Sequence, residues 1–199
     1  MTKVIAIMSM SLDGYVADAN DGVAEVFDWY FSGDVEIPMP SKGSDMRFSV
    51  SPPSADHLRG WMGEIGAMLT GRRTFERAGG WDGQHPWDIP AFVATHHAPD
   101  GWPRPGSTVE FVTDGIESAV ARAKSAASPK SVGVHGAKTI QECLDTGLLD
   151  EIHIDLAAVL LGAGVRLFDH LANTPAILGN PTVVTGVGVT HLRYPVHTS

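Results

Sequence analysis

Cysteine is nearly missing from this chain of 199 residues, with Cys143 the single example. An internal disulfide and a thiolate-rich metal site are thereby excluded. Positive charge is scarce as well: 14 Lys and Arg stand against 23 Asp and Glu, a formal net charge of −9. That balance argues against non-specific binding to nucleic acid or to an anionic membrane. Any phosphate-bearing ligand must then be held by a local arrangement. No apolar run approaches the ~18 residues of a membrane-spanning helix. The first ten residues, MTKVIAIMSM, run straight into Ser11-Leu12-Asp13-Gly14 without a small-residue cleavage site. No signal peptide is therefore expected, and the expected location is the cytoplasm. Repeats and low-complexity tracts do not stand out. What remains is an ordinary globular composition, 43% hydrophobic and 19% charged, so residues 1–199 are expected to form one domain with a real core.

The hydrophobic pattern alternates strand and helix. Lys3 to Met10 is nearly continuous apolar, as in a strand covered on both faces. Val26 to Phe31 reads as one or two helical turns, and Gly33 to Pro53, rich in Gly, Pro and Ser, as a long loop. Ser54 is expected to cap a helix whose stripe is Leu58, Trp61, Met62 and Ile65. Strands are expected at Ala67 to Thr70, Pro90 to Thr95, Thr108 to Thr113, Ser131 to His135 and Asp150 to Val159. Between them, Arg72 to Ala78 reads as a helical turn or two. A helix follows Asp114, with Glu117 completing a capping box. Ala137 to Thr146 is a further helix, stopped by Gly147. Thr182 to Val196 reads as a long strand or a hairpin turning near Gly186 and Gly188. This order predicts a three-layer α/β fold, its sheet mostly parallel with an antiparallel C-terminal edge.

Two strand-to-helix junctions carry chemistry. In Thr70-Gly71-Arg72-Arg73-Thr74 a glycine ends a strand and two arginines open a helix. Free N–H groups at a helix start attract phosphate, and Arg adds a fork for it; a solvated basic turn is the plainer alternative. Val134-His135-Gly136-Ala137-Lys138-Thr139 has the same construction. It lacks the GxGxxG dinucleotide fingerprint. Two such turns in one sheet suit a ligand with two phosphate groups.

The chain resembles the dihydrofolate reductase superfamily, in the branch containing the C-terminal reductase domain of the bifunctional riboflavin biosynthesis protein. The resemblance rests on Ser11-Leu12-Asp13-Gly14-Tyr15-Val16-Ala17, Gly71-Arg72-Arg73-Thr74-Phe75-Glu76 and Phe92-Val93-Ala94-Thr95-His96. It continues through residues 133–139, Gly147-Leu148-Leu149-Asp150-Glu151, and Val159 to Phe168. It implies a dihydrofolate-reductase-like fold and an NADPH-dependent reductase acting on a pterin, aminopyrimidine or related heterocyclic or carbonyl substrate. By position, Arg72, Arg73 and Thr74, after Gly71, resemble the residues that bind the cofactor's 2′-phosphate and pyrophosphate. Thr95 and His96 resemble the strand end bordering the adenosine. His135, Gly136, Ala137, Lys138 and Thr139 resemble the second pyrophosphate turn, although the family usually has two adjacent glycines there. Ala6 on the first strand, with Val16 and Ala17, would lie against the nicotinamide. The resemblance also implies a homodimer.

Asp28, among Phe27, Trp29, Tyr30 and Phe31, is the candidate catalytic acid. Its spacing from Asp13 is similar to that of the substrate-binding carboxylate in dihydrofolate reductases. An acid in an apolar site can bond an aminopyrimidine edge and support ring protonation; an exposed helix acid is the plainer alternative. Asp13 reads equally as a turn-amide acceptor, and Arg166 either faces the active-site mouth or holds its glycine-rich loop to an acid. No metal site is expected, because His96 and His97, adjacent on a strand, point to opposite faces. A nucleotide-binding module without turnover and a flavin-dependent reductase remain alternative functions.

Overall fold

The computed structural model describes residues 2–40 and 47–197. The apolar run near the N-terminus forms β1 (Val4–Ser11), and after the Asp13-Gly14 turn comes the short β2 (Tyr15–Ala17). Then follow α1 (Ala24–Phe27), a 3-10 turn over Asp28–Phe31, β3 (Val35–Pro38), β4 (Arg47–Val50) and α2 (Pro52–Glu64). The central alternation comprises β5 (Ile65–Gly71), α3 (Arg72–Arg77), β6 (Ala91–Ala94), β7 (Val109–Val112), α4 (Ile116–Ala127), β8 (Ser131–His135), α5 (Ala137–Asp145) and β9 (Glu151–Ala157). The chain ends with β10 (Val165–Arg166), β11 (Thr182–Thr185) and β12 (Val189–Pro195).

One eight-stranded sheet runs in the order β11-β12-β9-β1-β8-β5-β6-β7. The strands from β9 to β7 pair in parallel, while β12 and β11 join antiparallel. This is the expected α/β architecture. Alternation along β1 splits the core. Val4 and Ala6 pack with Ala119, Val120, Ile140 and Cys143 of α4 and α5. Ile5 and Ile7 pack on the other face with Val26, Trp29, Leu58 and Trp61. Leu58 is fully buried, and burial of such a side chain is worth about 1.5–3 kcal/mol.

Three local expectations are corrected. The segment expected as a loop from Gly33 to Pro53 contains the β3–β4 hairpin, with Val35 opposite Val50 and Ile37 opposite Phe48. Ile37 and Val50 are buried, and that burial outweighs the turn-forming composition; positions 41–46 lie outside the described residues. The cap position of α2 is Ser51, followed by Pro52 and Pro53 in the first turn, where proline's missing N–H costs nothing. Ser54 is instead buried within the helix. For α4 the cap position is Gly115, at φ 104. Asp114 accepts from Ser118 Oγ at 2.9 Å rather than closing a capping box with Glu117.

Candidate functional site

A cleft of about 1150 Å³ opens at the C-terminal ends of the parallel strands, the usual ligand position in such sheets. Its two ends differ in chemistry.

One end is built from the two glycine junctions, which interlock. A Cβ on Gly71 would stand 2.8 Å from Thr139 Oγ1, and one on Gly136, at φ +89, only 2.6 Å from Thr74 Oγ1. The glycines therefore let the starts of α3 and α5 approach each other. Arg72, Arg73, Arg77 and Lys138 line this end. Arg72 Nε bonds Glu76 at 2.7 Å, and Arg73 pairs with Asp21. Arg77 donates to the Asp21 carbonyl at 2.7 Å, so the 18–22 turn is strapped to α3 across the mouth.

The other end is aromatic and carries a buried acid. Phe27, Tyr30 and Trp61 line it, with Ser9, His135 and Asp155. Asp155 Oδ1 lies 2.7 Å from His191 Nδ1 and 3.2 Å from His57 Nε2. His191 Nε2 in turn meets Ser54 Oγ at 2.9 Å. His57 stacks on His191 with centroids 4.0 Å apart, and Trp29 meets His191 edge-on at 5.1 Å. Burial alone would raise the Asp155 pKa, but the two imidazoles outweigh it and hold the carboxyl below its usual value. Burial pushes His135 down to about 4, only partly offset by Asp155. Burial and the Asp155 charge both raise the Tyr30 hydroxyl. Among the described residues, Trp61 Nε1 and His135 Nε2 are buried without a hydrogen-bond partner.

His57, Asp155 and His191 are also the group whose donor atoms are close enough to suggest a metal, all within 4.8 Å. The separations at Asp155 are hydrogen-bond lengths, and both His191 nitrogens are engaged, so hydrogen bonding accounts for the arrangement.

Most expected cofactor residues line the cleft: Val16 and Ala17, residues 71–74, Thr95 and His96, and residues 135–139. Ala6 does not; it is buried in the core cluster shared with α4 and α5. Asp28 is exposed and outside the cleft wall. The reason is local. Val26 at the end of α1 and Trp29 in the 3-10 turn, three residues apart, both point inward, which leaves Asp28 between them facing outward. Asp13 is a turn acceptor: it takes Ser11 Oγ, Leu161 N and Gly162 N, and its pKa falls to about 2. Arg166 lies over the Tyr15 ring and bonds its hydroxyl at 2.9 Å. Sequence reasoning missed Asp155, His57 and His191. The one available signal was the alternation of Glu151, His153 and Asp155 with apolar residues along β9.

The family model of the RibD C-terminal domain matches residues 2–178. Among curated proteins, none matches the sequence. Solved structures show the same fold. A Shewanella sp. PV-4 protein assigned to riboflavin biosynthesis is 24% identical, with a TM-score of 0.68 and full coverage of both chains. The Thermotoga maritima diaminohydroxyphosphoribosylaminopyrimidine deaminase/5-amino-6-(5-phosphoribosylamino)uracil reductase is 13% identical at a TM-score of 0.62; 98% of this chain covers 57% of that one. Dihydrofolate reductase from Enterococcus faecalis, complexed with NADP(H) and RAB-propyl, is 12% identical at a TM-score of 0.62, covering 98% and 97%.

Proposed function

This chain belongs to the RibD C-terminal domain family, and from that premise we propose that it is an NADPH-dependent reductase delivering hydride to a small pterin, aminopyrimidine or related heterocyclic or carbonyl substrate. The observation that carries the reading is the two-ended cleft. Interlocked glycine junctions and cations form one end, and an aromatic chamber with a buried acid forms the other.

The residues suit the cofactor's chemistry. The N–H groups that open α5 and the side chains of Arg72, Arg73 and Lys138 would hold its phosphates. Val16, Ala17 and the end of β1 would border the nicotinamide. When bound, the cofactor supplies hydride; the protein orients the acceptor and excludes water. The NADP(H) complex of the Enterococcus reductase supports the choice of cofactor. On this reading the protein works in the cytoplasm without nucleic-acid or membrane partners. It pairs as a homodimer, for which exposed Leu160, Ile177, Val183 and Val187 offer apolar contact area.

The test is titration with NADPH, followed by energy transfer from tryptophan, then a screen of pterins, aminouracils and quinones for loss of the reduced-nicotinamide absorbance. Micromolar NADPH binding with oxidation by at least one of them is expected. No NADPH binding overturns the reading.

A further inference from the structure

Gly136, at the start of α5, donates its N–H to a thioether: Met8 Sδ lies 3.4 Å away. The pairing follows from the sheet. Ala6 of β1 lies beside Val134 of β8, so Met8, two residues on, stands where β8 turns into α5. Its side chain packs on the core cluster of that face. The first bond inside the helix runs from Ile140 N–H to the Gly136 carbonyl at 3.0 Å. The N–H groups of residues 137–139 come before it and are left for a ligand. A thioether is a weak acceptor, so it satisfies the Gly136 N–H while yielding it readily to an anion. Met8 is half-buried, and of the described methionines it alone lines the cleft. Met39 and Met68 are buried. A soft, polarizable sulfur is thereby placed beside the cationic end.

We infer that Met8 is a modification site for hydrogen peroxide, and that its sulfoxide closes the cleft to the cofactor's phosphates. The inference rests on the NADPH reading of the cleft. The step balances. A sulfur lone pair forms the S–O bond as the peroxide O–O bond breaks. The departing oxygen takes the proton of the transferred one and leaves as water, so sulfur loses two electrons and peroxide gains them. The product is methionine sulfoxide, which a sulfoxide reductase returns to the thioether. Its oxygen is a far stronger acceptor than sulfur. It holds the Gly136 N–H and sets partial negative charge where a phosphate oxygen has to approach, and both effects oppose binding. The single cysteine offers no competing site: Cys143 is buried, and burial pushes its thiol up to about 12, away from the reactive thiolate.

The experiment treats the full chain with hydrogen peroxide, maps the oxidised peptides by mass spectrometry and titrates NADP⁺ by calorimetry before and after. A one-oxygen mass gain at Met8 is expected, with NADP⁺ affinity lowered about tenfold or more, the worth of one charge-assisted hydrogen bond. Methionine sulfoxide reductase should restore it. Saturating NADP⁺ present during treatment should slow oxidation at Met8 but not at Met62, which lies outside the cleft wall. Met8→Leu has no sulfur to oxidise, so its NADP⁺ affinity should be the same before and after peroxide. Met8 left intact while Met62 is oxidised overturns the inference, and so does an oxidised Met8 with unchanged affinity; neither result requires a variant to fold. An equal loss in a folded Met8→Leu protein assigns the effect to another residue and overturns it too. Absence of NADP⁺ binding by the untreated protein overturns the cofactor reading instead, and is seen before peroxide is added.

Discussion

Ser9 of β1 and Asp155 of β9 are register partners in a parallel ladder, and both face the cleft. Ser9 Oγ accepts from Trp29 Nε1 at 3.1 Å, and the same indole lies edge-on to His191, the main donor to Asp155. The segment from Ala24 to Phe31 therefore does shape the site, but with aromatic rings. The charge comes from a strand distant in sequence.

Asp28→Asn tests that division. An exposed side chain outside the cleft should tolerate the change within about 0.5 kcal/mol. NADPH affinity and turnover on any substrate found by screening should both stay within about twofold. A large drop in turnover at unchanged affinity would restore Asp28 as the acid.

Arg72 and Arg73 are 46% and 70% exposed and already paired, with Glu76 and Asp21. A 2′-phosphate must compete with those partners, so the Arg72→Ala, Arg73→Ala protein should lose NADPH affinity near the low end of the charge-assisted range, about tenfold. NADH affinity should change little. Asp21→Asn releases Arg73 and should strengthen NADPH binding. Fluorescence titration with both cofactors checks all three, and equal affinities for NADPH and NADH in the unaltered protein would remove the basis of the assignment.

Gly136→Ala should damage both fold and site. The residue sits at φ +89, and its Cβ would meet Thr74 Oγ1 at 2.6 Å. Backbone strain of this kind costs about 1–3 kcal/mol, and the collision pushes α3 and α5 apart. A lower urea midpoint together with weaker NADPH binding is the expected pair of results. Gly147→Ala is the control: that glycine also has positive φ, 70°, but no atom lies within 4 Å of its added Cβ, so it should lose stability without the binding defect.

The junctions at Gly71 and Gly136 were legible because glycine, a strand end and a helix start are all local features. The same holds for the parallel sheet, which follows from the strand–helix alternation. The β3–β4 hairpin was not legible, since Gly, Pro and Ser hide a pairing decided by the burial of Ile37 and Val50. Asp28 was chosen by its spacing from Asp13 and its aromatic neighbours, and neither says which way the side chain points; in the structure it is exposed. Asp155 was hidden for another reason. Its partners, His57 and His191, come from α2 and β12, and spacing along one element says nothing about such a meeting.

Acid should destabilise the protein from about pH 6.5 downward. Burial depresses the pKa of His85 to about 3 and of His135 to about 4, from 6.5. Below pH 6.5 the unfolded chain binds protons at both positions and the folded chain does not. Stability is therefore whole above that pH and is lost as pH falls toward 4. Where both differences act, the slope approaches two protons, about 2–3 kcal/mol per pH unit. Carboxylates add the same sign lower down. Glu151, stabilised by Lys3, His153 and Arg193 against its own burial, sits at about 2, and Asp13 at about 2. Their contributions fade from about pH 4.5 toward 2. Urea midpoints at pH 7, 6, 5 and 4.5 should fall steadily, and His135→Gln should remove about one proton from the slope. A flat profile between pH 6.5 and 5 would mean that both histidines charge freely in the folded state.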